Sequence, residues 1–114
     1  MAHQNQQMRE CIEACQACHE LCLEMITHCL ALGGKHAAPE HIRTLIDCAQ
    51  ICETSADFMI RDSAFHPHTC RACAEVCERC AVSCDQVGGV EMKQCAEECR
   101  RCADECRAMS QALS

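Results

Sequence analysis

The chain is almost without aromatic residues: in 114 positions it has two Phe, Phe58 and Phe65, and neither Trp nor Tyr. A core built on large rings is excluded, which leaves the interior to Leu, Ile, Val, Ala and Cys. Positive charge is also scarce. Ten Lys and Arg stand against seventeen Asp and Glu, a net charge of −7, with no basic stripe or stacking platform for nucleic acid. No apolar run approaches the length of a membrane span. The first residues, MAHQNQQMRE, hold neither an apolar stretch nor a small-residue cleavage site, so the reading is a cytosolic protein with no membrane partner.

What is abundant is cysteine. Sixteen Cys exceed the roughly 8 to 10% at which a short chain reads as a disulfide scaffold or a metal binder. Cytosolic thiols are kept reduced, so metal or redox chemistry takes precedence over structural bridges.

Breakers are few and well placed. Gly33-Gly34, Pro39, Pro67 and Gly88-Gly89 divide the chain, with each Pro suited to a first helical turn. The division predicts one domain, residues 1–114, with helices at roughly 5–32, 39–63, 67–87 and 90–112. Three of the segments share one template. CIEACQACHELC (11–22), CAEVCERCAVSC (73–84) and CAEECRRCADEC (95–106) all read C-x3-C-x2-C-x3-C. At about 100° per residue the four sulfurs of each copy fall within about 60° of arc, one narrow stripe. The second segment carries a reduced copy: Cys48 and Cys52 fill the first two slots, and Ser55 and Met59 stand in the last two. Cys29 and Cys70 extend the first and third stripes. The opposite faces are polar, as at Glu10, Glu13, Gln16 and Glu20, so each helix is amphipathic with a buried face made of thiol. Short connections favour antiparallel neighbours. The expected fold is all-α, an up-down-up-down four-helix bundle with a Cys-lined core.

Sixteen thiols on matched stripes are more than packing requires, since Ala or Val would fill the space without the risk of oxidation. Bridges within a helix are strained: Cβ atoms four residues apart lie about 5 to 6 Å from each other, against about 3.5 to 4.5 Å in a disulfide. A metal spans the gap. With metal–sulfur bonds of about 2.3 Å, a linear S–M–S unit covers roughly 4.6 Å, so the seven C-x3-C pairs become candidate two-coordinate sites: Cys11/Cys15, Cys18/Cys22, Cys48/Cys52, Cys73/Cys77, Cys80/Cys84, Cys95/Cys99 and Cys102/Cys106. Zinc prefers four ligands, and iron–sulfur clusters need Cys sets arranged around the cluster. Cu(I) is satisfied by two or three soft donors. Met8, Met25, Met59, Met92 and Met109, each three or seven residues from a Cys of its own segment, supply thioethers on the same stripes and favour copper over zinc.

One local motif points elsewhere. Cys15, Cys18 and His19 spell C-x-x-C-H, the haem-attachment pattern. Both cysteines belong to a ladder that continues to Cys11 and Cys22, and His19 lies about 40° off its edge, so the helical context argues against a cytochrome.

The repeated C-x3-C pairs along four segments, from about Met8 to Met109, resemble the copper storage protein family, and the absence of a secretory signal resembles its cytosolic branch. The resemblance implies a bundle holding many Cu(I) ions along its core, a homotetramer, and admission of metal at one end. Ser55, Ala56 and Met59 depart from the richest version of the pattern. In an up-down-up-down bundle one end gathers Met8, Met59, His66 and Met109 beside Cys11, Cys70 and Cys106. The other gathers His41 and Met92 near Cys29, Cys48, Cys84 and Cys95. The Met8/Met59/Met109 end is the favoured entrance, with His41 and His66 as further candidate ligands near helix ends. His28 and His36 read as solvent-facing or loop-borne, and His3 as part of a tail. No phosphate loop or catalytic constellation accompanies these residues, so a non-enzymatic store of copper ions is expected. Two alternatives stay open: a zinc or mixed-metal thiolate reservoir, and a thiol–disulfide redox protein, which would lack the strand-to-helix setting of a thioredoxin-like site.

Overall fold

A computed structural model describes residues 5–111. Four helices make up nearly all of them: α1 (Gln6–Leu32), α2 (Pro39–Ile60), α3 (His66–Val87) and α4 (Val90–Ser110), with a 3-10 turn at Gly34–Ala37 between the first two. The helices form an antiparallel bundle in which α1 packs on α2 and α4, and α3 on α2 and α4. The whole is a rod of 47 × 25 × 19 Å. No helix among the described residues is long and apolar enough to cross a membrane.

The boundaries follow local chemistry. Asn5 caps α1, its side-chain oxygen accepting from the Met8 amide at 2.8 Å and satisfying one of the free amides of the first turn. Pro39 and Pro67 occupy first-turn positions of α2 and α3, where a missing N–H is harmless. The reversal into α4 needs Gly88 and Gly89 at φ 84° and 99°, a region that side-chain-bearing residues rarely adopt. The second helix stops at Ile60, three residues short of the sequence expectation. Its end is a Schellman closure: Ser63 N–H bonds Phe58 C=O at 2.9 Å, Asp62 N–H bonds Met59 C=O at 3.0 Å, and Asp62 takes φ 54°. Asp tolerates this left-handed position, but its presence there gives none of the warning that a Gly would.

The core is mostly sulfur. All sixteen cysteines are fully buried. Among the described residues, the large side chains sealed among them are Ile12, Leu45, Met59 and Met92. Alongside runs a set of buried alanines, of which Ala49, Ala74, Ala81, Ala96 and Ala103 each directly follow a core Cys. A methyl group at these flanking positions lets facing helices approach closely, and that approach brings thiols of different helices into contact. Outside, Arg100 bridges to Asp85 at 2.7 Å and Arg107 to Glu78 at 3.1 Å, both tying α4 to α3. Such exposed pairs contribute little, because solvent screens both charges. Burial of the thiol-lined faces is the larger stabilising contribution.

Candidate metal centre

Because α1 to α4 all turn their Cys stripes inward, the sulfurs meet on the bundle axis. Cys106 Sγ lies 3.6 Å from Cys11 Sγ and 3.5 Å from Cys15 Sγ, and Cys15 lies 3.6 Å from Cys102. The chain of contacts continues through Cys102 to Cys52 (3.8 Å), Cys52 to Cys77 (3.6 Å), Cys77 to Cys48 (3.7 Å), Cys48 to Cys18 (3.8 Å) and Cys18 to Cys99 (3.7 Å). Two contacts join residues four apart on one helix, Cys18/Cys22 at 4.0 Å and Cys73/Cys77 at 3.7 Å. The shortest ones cross between helices. Spacing along one helix therefore tells only part of the arrangement: the expected two-coordinate pairs are fused sideways into larger sets.

Four sets of four thiols have their sulfurs mutually within 4.8 Å: Cys15/Cys73/Cys102/Cys106, Cys18/Cys48/Cys52/Cys77, Cys18/Cys22/Cys48/Cys99 and Cys52/Cys73/Cys77/Cys102. A fifth, Cys11/Cys70/Cys106, has three. Several cysteines belong to two sets, so neighbouring groups share donors. With metal–sulfur bonds of about 2.3 Å, the S···S edge is about 4.0 Å around a trigonal ion and about 3.8 Å around a tetrahedral one. The observed 3.5 to 4.0 Å contacts need little movement to reach either.

The thiols also tune each other. Hydrogen bonds from Cys102, then Cys106 and Cys11, bring Cys15 down to about 6 from an ordinary 9.0. Cys70 is brought down to about 3 by Cys106 and Cys11, with Ser55 and His66 adding to the effect. Cys106 is pushed up, chiefly through Cys102, because a thiol that donates to a thiolate is held protonated. Burial pushes Cys29 up.

The remaining candidate ligands cluster at the two ends. At one end, Met8 and Met59 are buried and Met109 and His66 half-buried, beside the Cys11/Cys70/Cys106 set. Ser55 is fully buried on the stripe, its hydroxyl donating to Cys70 Sγ at 3.4 Å. At the other end the structure brings together a mixed donor set. Cys29 Sγ lies 3.6 Å from His41 Nε2 and 3.8 Å from Met92 Sδ, and all three residues are buried. Burial lowers the His41 pKa and keeps the ring neutral. A surface recess of about 460 Å³ is bounded by Asp85, Gly88, Gly89, Val90 and Lys93, with the fully buried Cys84 behind it. Met25 is half-buried against the core.

Three further histidines lie on the flanks of the bundle or in its first connection. His19 sits on the flank of α1, its Nδ1 bonded to Ala49 C=O of α2 at 2.8 Å and its Nε2 3.7 Å from Glu53. The ring clamps two helices while Cys15 and Cys18 face the axis, so the three residues of the motif do not converge on one site. His28 and His36 stack edge-to-face with centroids 6.2 Å apart, and His28 Nε2 is 3.9 Å from Glu91. Both are half-buried rather than fully solvent-facing. His3 lies outside the described residues.

A family model of copper storage proteins matches residues 4–111. The chain belongs to the copper storage protein family. Among solved structures, a protein from Nitrosospira multiformis is 46% identical with a TM-score of 0.91, over 97% of this chain and 100% of that one. The Cu(I)-bound copper storage protein BsCsp3 of Bacillus subtilis is 35% identical with a TM-score of 0.86, over 92% and 99%. A cytosolic copper storage protein from Streptomyces lividans, solved with five coppers, is 29% identical with a TM-score of 0.80, over 95% of each chain. All three solved structures share the bundle on which the thiol column is built.

Sequence reasoning passed over two features of the site. The flanking alanines follow Cys with a regularity that was there to be seen. Ser83, whose hydroxyl lies 2.7 Å from His41 Nδ1, carried no visible signal.

Proposed function

We propose that this chain is a cytosolic copper store that holds many Cu(I) ions on the thiol column and limits their toxicity. The observation that carries the reading is the fusion of sixteen buried thiols into overlapping sets along one axis, since a carrier or a single structural site needs only one such set. All sixteen cysteines, from Cys11 to Cys106, serve as ligands, with Met8, Met59, Met109, His41 and His66 as terminal donors. Assembly as a homotetramer accompanies storage.

Charge balance sets the capacity. Among the described residues the only buried polar ones are His41 and Ser55, and none of the buried ones is Lys or Arg. Uncompensated thiolates are costly in such a place. Two thiolates per Cu(I) leave one negative charge per ion, whereas sharing each sulfur between ions approaches neutrality. Loading therefore exceeds about eight ions per chain and tends toward about sixteen, with a proton released from each thiol that binds.

Admission of metal is better served by the Cys29/His41/Met92 end than by the Met8/Met59/Met109 end favoured from sequence. Thioether and imidazole converge there on one thiol, and a surface recess lies over the buried Cys84 of α3.

Anaerobic titration of the reduced protein with Cu(I), followed by elemental analysis, tests the storage reading. Saturation above about eight ions supports it, and saturation at one to four would overturn it in favour of a carrier. A parallel titration in which Zn(II) displaced bound Cu(I) would favour a zinc reservoir.

A further inference from the structure

Resting on the reading of Cys29, His41 and Met92 as the mouth of the store, we propose that Ser83 is a positioning residue for that site: its hydroxyl holds the His41 imidazole so that Nε2 faces Cys29 and Met92. The four residues come from four helices: Cys29 from α1, His41 from α2, Ser83 from α3 and Met92 from α4. His41 is only 3% exposed. Its Nδ1 lies 2.7 Å from Ser83 Oγ and its Nε2 lies 3.6 Å from Cys29 Sγ, so the two ring nitrogens point to opposite tasks.

An imidazole that gives Nε2 to a metal must carry its proton on Nδ1, and in a buried setting that proton needs an acceptor. Ser83 Oγ, 2.7 Å away, can accept it. A hydroxyl can donate as well, so the bond fixes the ring plane and admits the Nδ1–H tautomer, and binding Cu(I) requires no search by the side chain. Ser83 occupies a position the repeat leaves free, the residue before the final Cys, where the other two copies have Leu21 and Glu105. Its role follows from packing: α3 lies against α2, which carries the histidine.

The test compares the full-length protein with Ser83→Ala, Ser83→Thr and His41→Ala. Two quantities are read: the rate of anaerobic Cu(I) transfer from a chromophoric Cu(I) chelator, and the His41 Nδ1–H signal in ¹⁵N-resolved NMR of Cu(I)-loaded protein. In Ser83→Ala the signal is lost to solvent exchange and transfer slows about 10- to 100-fold. Ser83→Thr restores both, while thermal stability stays at the wild-type value and capacity changes by no more than about one ion. Wild-type transfer with an intact Nδ1–H signal in Ser83→Ala overturns the proposal. If His41→Ala slows transfer and Ser83→Ala does not, the serine's role alone has failed. If His41→Ala leaves transfer unchanged, the mouth lies elsewhere.

Discussion

Ser55 donates a hydrogen bond to Cys70 Sγ across 3.4 Å, and both residues are fully buried. The hydroxyl stands where a third thiol of α2 would complete the pattern, next to the one set that has three sulfurs instead of four, Cys11/Cys70/Cys106. Ser55→Cys is close in volume, and the buried site already accommodates a polar hydrogen. It should raise Cu(I) capacity by about one ion, as counted by elemental analysis of the saturated protein. An unchanged capacity would mean that the gap is not a missing ligand.

The apoprotein should be helical before any metal is added. Buried cysteines pack as small side chains, and here they already touch across helices at 3.5 to 3.8 Å. This differs from zinc fingers, whose fold depends on the ion. Far-ultraviolet circular dichroism of reduced, metal-free protein should show a mostly helical chain, and metal addition should change its helicity little. A coil spectrum would contradict a preformed store.

The two ends can be separated by substitution. Replacing Met8, Met59 and Met109 together by Leu conserves volume at less than about 1.5 kcal/mol per site. Uptake of Cu(I), followed by stopped-flow transfer from a chelator, should be nearly unaffected. Changing His41 to Ala together with Met92 to Leu should slow it at least about tenfold, the scale on which loss of coordinating groups or their supports is felt. The opposite result would put the entrance at the Met8 end.

Acid should weaken the metal-free bundle partly through His41. Burial holds its folded pKa below the ordinary 6.5. The unfolded chain therefore binds a proton at this residue more readily than the folded one. The stabilising contribution is complete above about pH 6.5 and is lost as pH falls from there toward the folded value. Denaturant midpoints measured at pH 7.5 and pH 5 should differ less in His41→Gln than in wild type. Equal differences in the two proteins would show that His41 plays no part.

Most of the architecture was legible because helical periodicity and thiol spacing agree. In the 11–22, 73–84 and 95–106 copies the same residues that mark the helix also mark its buried face. The end of α2 was not legible, since Asp62 closes it in a conformation usually signalled by Gly. The grouping of sulfurs was only half legible. Spacing of four residues identifies Cys18/Cys22, but nothing along the chain says that Cys15 meets Cys102 and Cys106. That depends on how closely the helices pack, which the buried alanines set. That His41 and Met92 share an end with Cys29 was legible, but not that both converge on its sulfur, at 3.6 and 3.8 Å.

Ala49, Ala74, Ala81, Ala96 and Ala103 line the column and let the helices close on the sulfurs. In the store proposed above, an ion entering at the Cys29 end would advance by exchanging one thiolate for the next, and the ions nearest that mouth would be the first that a recipient meets.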